Sequence, residues 1–369
     1  MMIGARRGEY DRVTDLHEKE ESAASVHKRR VRYTGRYPRR FQDKYKELNP
    51  EKYADTVAHV LGKGSTPAGM HVPILVHEIL DILKIQPGER GMDATLGYGG
   101  HTEAMLEQLQ HRGHIYATDV DPIESEKTRL RLEKKGYGAD ILSVRQMNFA
   151  AIDALAAEVG PFDFILADLG VSSMQIDNPL RGFSYKSDGP LDLRMNPARG
   201  ISAAERLQQM PPDAIEAMLR ENADEPFAHE IARQITAEQA RGVSIQTTAK
   251  LHAAVEKALQ PLVSTAELRE AVRKSSARTF QALRIDVNHE YEVLYDFLAK
   301  LPGALAPGGR VVILTFHSGE DRLVKKAFKE FHREGLYQAV ARDVIRPSAA
   351  ECSRNSRAHS TKLRWAVRS

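Results

Sequence analysis

Short apolar runs that end in an acidic residue alternate with stretches of helical periodicity along two parts of this chain. Gly91-Met-Asp93, His114-Ile-Tyr-Ala-Thr-Asp119 and Phe162-Asp-Phe-Ile-Leu-Ala-Asp168 are runs of this kind. They predict strands near 91–94, 114–119 and 162–168, with further strands near 141–145 and 309–316 and a last one at Lys362–Val367. Between them, apolar spacing predicts helices near 101–111, 122–135 and 150–158, and an amphipathic lead-in helix over 72–83. Strands separated by helices imply an α/β domain with a mostly parallel, doubly wound sheet. The alternation stops after Asp168. From Pro179 to about Ser275 no strand is evident, and 202–209, 213–221, 226–240 and 247–259 read as helices. The expected organisation is a domain of residues 71–178 and 276–369 interrupted by a helical subdomain of residues 179–275. A helix near 279–300 returns the chain to the α/β pattern.

The turn after the first strand, Gly97-Tyr-Gly-Gly100, lets the backbone bend sharply and approach a bound molecule. Asp119, 22 residues beyond Gly97, stands where such folds hold ribose hydroxyls. A dinucleotide fingerprint needs a third Gly or Ala where this chain has Thr102, which argues against a nicotinamide oxidoreductase. No Gly-Lys-Ser/Thr run cradles a triphosphate either. A nucleoside with few or no phosphates remains, and S-adenosylmethionine is the candidate. Asp168, at the end of the fourth strand, is the first choice for a catalytic or substrate-orienting carboxylate. A turn cap or an ion pair is the competing reading.

Composition narrows the setting. With 42% hydrophobic and 28% charged residues the chain is globular, and its apolar runs are too short to cross a bilayer. A soluble, cytoplasmic protein is expected. Cys352 is the single cysteine and the histidines are scattered, so neither a disulfide nor a metal site is expected. Residues 1–27 read as disordered. The net charge of +3 conceals a basic stretch from Lys28 to Lys46 with nine cations against Asp43 alone. Tyr33, Tyr37, Phe41 and Tyr45 interleave with those cations, a composition suited to single-stranded RNA. The same rings at every fourth position could instead dock a helix on the main domain, although Gly35 and Pro38 interrupt it.

The ordered motifs resemble the RsmH family, also called MraW. They are Asp93-Ala-Thr-Leu-Gly-Tyr-Gly-Gly-His101, Asp168-Leu-Gly-Val-Ser-Ser173, Arg181-Gly-Phe-Ser184, Asp188-Gly-Pro-Leu-Asp-Leu-Arg-Met195, Arg278-Thr-Phe-Gln-Ala-Leu-Arg-Ile285, Phe316-His-Ser-Gly-Glu-Asp-Arg322 and Asn355-Ser-Arg-Ala-His-Ser-Thr-Lys-Leu-Arg364. The resemblance covers about 71–369. It implies a Rossmann-like class I methyltransferase that uses S-adenosylmethionine to methylate the exocyclic N4 of a cytidine in the decoding region of small-subunit (16S) ribosomal RNA. The implied cofactor contacts are Gly99, Gly100, His101, Asp119, Phe149, Asp168 and Gln175. Asp168 with Ser172 or Ser173 is expected to serve the acceptor amine. The loop from Arg181 to Arg194 combines Arg181, Lys186 and Arg194 with Phe183 and Tyr185, and these with Arg278, Arg284, His317, Arg354, Arg357, Lys362 and Arg364 are candidate RNA contacts, a solvated surface charge being the competing reading for any one of them. A homodimer is carried as a further expectation, and a non-catalytic ribosome-assembly factor that keeps the cofactor site is the alternative. Asp-Ala-Thr-Leu at 93–96 replaces the family's Asp-Gly-Thr-Phe, and Gly319 stands where the family has leucine. With the basic extension, these departures point to a second, divergent RsmH-type paralogue.

Overall fold

The computed structural model describes residues 73–369. The expectations for residues 1–70 and the start of the lead-in helix therefore lie outside the described residues. Seven strands form one sheet: β1 (Arg90–Asp93), β2 (His114–Asp119), β3 (Leu142–Gln146), β4 (Phe162–Asp168), β5 (Leu305–Thr315), β6 (Tyr337–Val340) and β7 (Lys362–Arg368). Their order is β3-β2-β1-β4-β5-β7-β6. The first five run parallel, and β7 inserts antiparallel between β5 and β6. The chain builds outward from β1 in one direction and from β4 in the other. That reversal opens a crevice at the carboxyl ends of β1 and β4, where doubly wound sheets hold ligands.

Helices cover both faces. Short apolar strands with hydrophobic residues on both sides, such as Phe164 to Ala167 in β4, need such a double layer to leave water. On one face pack α1 (Val76–Leu83) and α2 (Gly100–Leu109), with Ile79, Leu83, Met105 and Leu109 buried against Phe164 and Leu166. Next to them α3 (Pro122–Lys134) buries Leu132. The opposite face carries α4 (Ile152–Val159), which buries Leu155 with Phe162 and Ile165.

Between β4 and β5 the chain forms α5 (Ser173–Asp177), α6 (Ala203–Gln209), α7 (Pro212–Ala223), α8 (Ala228–Ala240), α9 (Thr248–Leu259), α10 (Thr265–Asn288) and α11 (Glu290–Ala304). Leu207, Ile215, Leu219, Ile231, Leu251 and Phe280 belong to a buried cluster distinct from the two on the sheet faces. The only pairing in this stretch, among the described residues, is an isolated bridge between Pro190 and Thr247.

Several elements differ from the sequence reading. The single helix expected near 279–300 is two, α10 and α11, broken at His289 in the left-handed region with φ 52°. The break has a local cause. Asn288 donates to the carbonyls of Leu193 and Arg284 and accepts from the Met195 amide, so its side chain is committed across the joint. Helix α12 (Ser318–Arg333) and strand β6 were not anticipated. Four-residue β6 is too short for period two to register, and β5 begins at Leu305, ahead of the expected 309.

Candidate active site

The carboxyl ends of β1, β2 and β4 each finish on an aspartate, and those of β2 and β4 line one cleft of about 650 Å³. They are not equivalent. Asp93 is buried and turned inward, accepting the Thr102 hydroxyl at 2.6 Å and the Thr95 amide at 3.0 Å. It pins the loop that follows β1. Burial holds its carboxyl above the usual range despite those hydrogen bonds.

Asp119 lines the cleft. One oxygen accepts the Gly97 amide at 2.8 Å and the other the Asp121 amide at 2.9 Å, so the carboxylate is fixed across the turn from β1. Each oxygen keeps a lone pair for another donor. Burial is the dominant influence on it and pushes its pKa up to about 6.

Asp168 also lines the cleft. Its amide donates to the Thr95 hydroxyl at 2.6 Å, which ties the ends of β1 and β4 together. Oδ2 lies 3.4 Å from His101 Nδ1, while Oδ1 is buried and has no hydrogen-bond partner among the described residues. A buried carboxylate oxygen left unmatched is costly, and such groups mark places where a ligand supplies the donor.

The glycine turn is built chiefly by packing. A Cβ on Gly99, whose φ is 70°, would meet Thr128 Cγ2 at 2.7 Å, and one on Gly100 would overlap Pro73. Gly97, at φ 47°, has its amide committed to Asp119 and its carbonyl to the Thr128 hydroxyl, which fixes the turn where it lines the cleft. Phe149 lines the cleft and sets its edge on Phe297, with centroids 5.0 Å apart. Ser172 caps α5 by accepting the Gln175 amide, and Gln175 answers by accepting the Ser172 amide. Gln175 Nε2 donates to Asp121 Oδ2, so its side chain positions the β2 loop. Ser173 lines the cleft beside it.

Several cations read from sequence as RNA contacts are turned inward. Arg181 is buried and bonds to Asp121 at 2.7 Å and to the carbonyls of Arg194 and Met195. Arg194 is paired with Asp192, Arg357 with Asp177, and Lys362 and Arg364 with Asp321. Arg278 lies 3.9 Å from Glu225, and the exposed Arg354 side chain reaches the Ala350 carbonyl at 3.4 Å. Phe183 is core, and Tyr185 stacks on His252. Lys186 is exposed.

The far wall carries a cluster that the sequence reading did not assemble. Arg284 Nε and Nη2 donate to the two oxygens of Glu290 at 2.7 and 2.9 Å, across the α10–α11 joint. Glu320 accepts the Phe316 amide, and His317 Nε2 lies 3.1 Å from its other oxygen. Burial raises the Glu320 carboxyl, but His317 and Arg284 outweigh it and hold it below the ordinary range. Glu290, His317 and Glu320 are close enough to share an ion. Arg284 already occupies Glu290 and adds positive charge, which opposes a divalent cation there.

The family model described as the MraW methylase family matches residues 68–369. The chain belongs to the MraW methylase family. It is 62% identical over 347 residues to "Ribosomal RNA small subunit methyltransferase H 1" of Agathobacter rectalis, which spans 94% of this chain and 99% of the relative. It is 59% identical over 340 residues to "Ribosomal RNA small subunit methyltransferase H 2" of Alkaliphilus metalliredigens, spanning 92% and 97%. The unnumbered "Ribosomal RNA small subunit methyltransferase H" of Leptothrix cholodnii is 40% identical over 316 residues, spanning 81% and 93%. The chain thus falls nearest to numbered paralogues among these three. S-adenosylmethionine is the cofactor of a methylase of this family.

The two departures from the MraW pattern are internal. Ala94 and Leu96 are buried in the sheet-face clusters. Gly319 leaves room for Tyr291: a Cβ there would overlap the Tyr291 hydroxyl, which donates to the Asn222 carbonyl at 3.0 Å.

Proposed function

We propose that this protein transfers the methyl group of S-adenosylmethionine to the exocyclic N4 of a cytidine in the decoding region of small-subunit (16S) ribosomal RNA. Membership of the MraW family and relatives named as small-subunit rRNA methyltransferases support the substrate class. The single observation that carries the chemistry is the buried Asp168 Oδ1, without a hydrogen-bond partner among the described residues, at the topological switch point.

The residues present fit the cofactor. Asp119 offers two fixed acceptors to the ribose hydroxyls, Phe149 a ring for the adenine face, and the backbone from Gly97 to His101 a close approach for the methionine end. S-adenosylmethionine supplies an activated methyl on a sulfonium. What remains for the protein is alignment of donor and acceptor at roughly 3 to 3.5 Å. A cytosine amine is a poor nucleophile because its lone pair is delocalised into the ring. Asp168 Oδ1 would accept an amine N–H, favour a localised lone pair and take the proton released afterwards. The target base must leave its stack to reach this depth. We assign to residues 179–275 a role in RNA recognition, because Arg194, Met195, Asn196, Arg199 and Gly200 line the same cleft as Asp168. Ser173 would support the amine. Ser172 would act through the helix that it caps.

Calorimetric titration with S-adenosylmethionine and with NADH, followed by methylation of small-subunit RNA, tests the reading. Binding of the former alone is expected, and Asp168→Asn should retain cofactor binding while turnover falls about 10²-fold or more. Unchanged turnover would remove Asp168 from the mechanism. Cofactor binding with no RNA methylation by the unaltered protein would favour the assembly-factor reading.

A further inference from the structure

His101, at the start of α2, sits where three elements meet. From the lead-in segment comes the Ile74 carbonyl, from β1 Asp93 and from β4 Asp168. Nε2 is 2.9 Å from the Ile74 carbonyl oxygen. A carbonyl only accepts, so Nε2 carries a hydrogen. On the other side of the ring, Nδ1 lies 3.4 Å from Asp168 Oδ2. A neutral ring with its hydrogen on Nε2 would present the Nδ1 lone pair to a carboxylate oxygen. Two acceptors would then face each other in a site where His101 is only 7% exposed. One proton between them removes the conflict.

The surroundings favour that proton. Burial opposes a charged imidazole, yet the Asp168 carboxylate and the Ile74 carbonyl, with Asp93 behind them, outweigh burial and raise the proton affinity of the ring above the ordinary histidine value. The pair therefore divides the Asp168 carboxylate into two ends. Oδ2 is held by the imidazolium, and Oδ1 is buried and free of protein donors among the described residues.

We propose that His101 is a positioning residue for methyl transfer, an imidazolium that holds Asp168 Oδ2 and so leaves Oδ1 to the acceptor amine. This assignment rests on the methyltransferase reading and goes beyond a cofactor contact through the His101 backbone. The amine nitrogen bonds to the methyl carbon as the carbon–sulfur bond breaks, and the electron pair of that bond stays on sulfur. The methylated nitrogen then gives one proton to Asp168 Oδ1, while the imidazolium keeps its own. On product release the proton on Asp168 leaves to solvent, which restores the starting pair.

Two readouts on the full chain test the proposal. In histidine-¹⁵N NMR spectra of the protein with S-adenosylhomocysteine, His101 should be protonated on both nitrogens at pH 7.5, and Asp168→Asn should convert it to the Nε2-protonated neutral ring. A neutral His101 in the unaltered protein would overturn the proposal. In single-turnover methylation of small-subunit RNA, His101→Gln keeps a donor toward Ile74 but loses the charge. It should lower the rate at least tenfold and move the acid limb of the pH profile up by about one unit or more. His101→Asn keeps an N–H toward Asp168 and should recover part of the rate. A variant that is folded by circular dichroism and slow, yet has an acid limb superimposed on that of the unaltered enzyme, would make His101 merely structural. If the unaltered protein methylates no RNA, the methyltransferase reading fails and the use of the pair fails with it, while the NMR result still decides whether the proton is shared.

Discussion

On the proposed reading Asp119 would report cofactor binding, because burial has made its ionisation costly and ribose hydroxyls would offset part of that cost. Its folded pKa of about 6 lies above the ordinary value of 3.8, so the folded chain binds a proton there more tightly than the unfolded chain does. This carboxyl therefore subtracts stability as pH rises from about 4 through 6. Hydroxyl donors prefer the ionised form, so affinity for S-adenosylmethionine should weaken toward tenfold per unit as pH falls below about 6. Asp119→Asn should bind weakly at pH 7.5 and lose that pH dependence; calorimetry at four pH values checks both. The acids at the strand ends were legible because an apolar run that stops at a carboxylate is a local signal. The inward turn of Asp93 was not. Asp93 turns inward to Thr102 while the Asp168 side chain lies beside His101, a division set by tertiary contacts. The inward turn of Arg181 onto Asp121 was hidden in the same way, since nothing near either residue announces its partner.

At the scale of elements, Gly319 couples α12 to α11. Tyr291 fills the space above Gly319 and ties α11 to the end of α7 through the Asn222 carbonyl. Gly319→Leu should therefore destabilise the protein by about 1 to 3 kcal/mol through overpacking. Combining it with Tyr291→Ser should recover much of the loss, so that the two changes are not additive in chemical denaturation. Additive losses would show that the two positions do not share that space. The parallel strands and the helices of the inserted segment were readable from period and length. The α10–α11 break was not, because its cause is the Asn288 side chain reaching Leu193 and Met195.

For the whole molecule, charge is unevenly placed. Residues 1–72 carry +5 and residues 73–369 carry −2. Many cations of the described part are paired with carboxylates, as Arg194, Arg284, Arg357 and Arg364 illustrate. The matches to the two numbered relatives span more residues than 73–369 contains, so they extend into the basic segment. Deleting residues 1–46 should weaken RNA binding and flatten its salt dependence, by a slope of about 0.7 for each single-strand phosphate that the segment neutralises. Filter binding across a salt series measures this, and an unchanged slope would take the segment out of RNA recognition. The most direct test of the central claim is mass spectrometry of small-subunit RNA after incubation with the purified protein and methyl-deuterated S-adenosylmethionine. One labelled methyl on the N4 of a decoding-region cytidine, absent with Asp168→Asn, is the predicted result. RNA that gains no label while the folded protein binds the donor, or label on any other atom, would contradict the account.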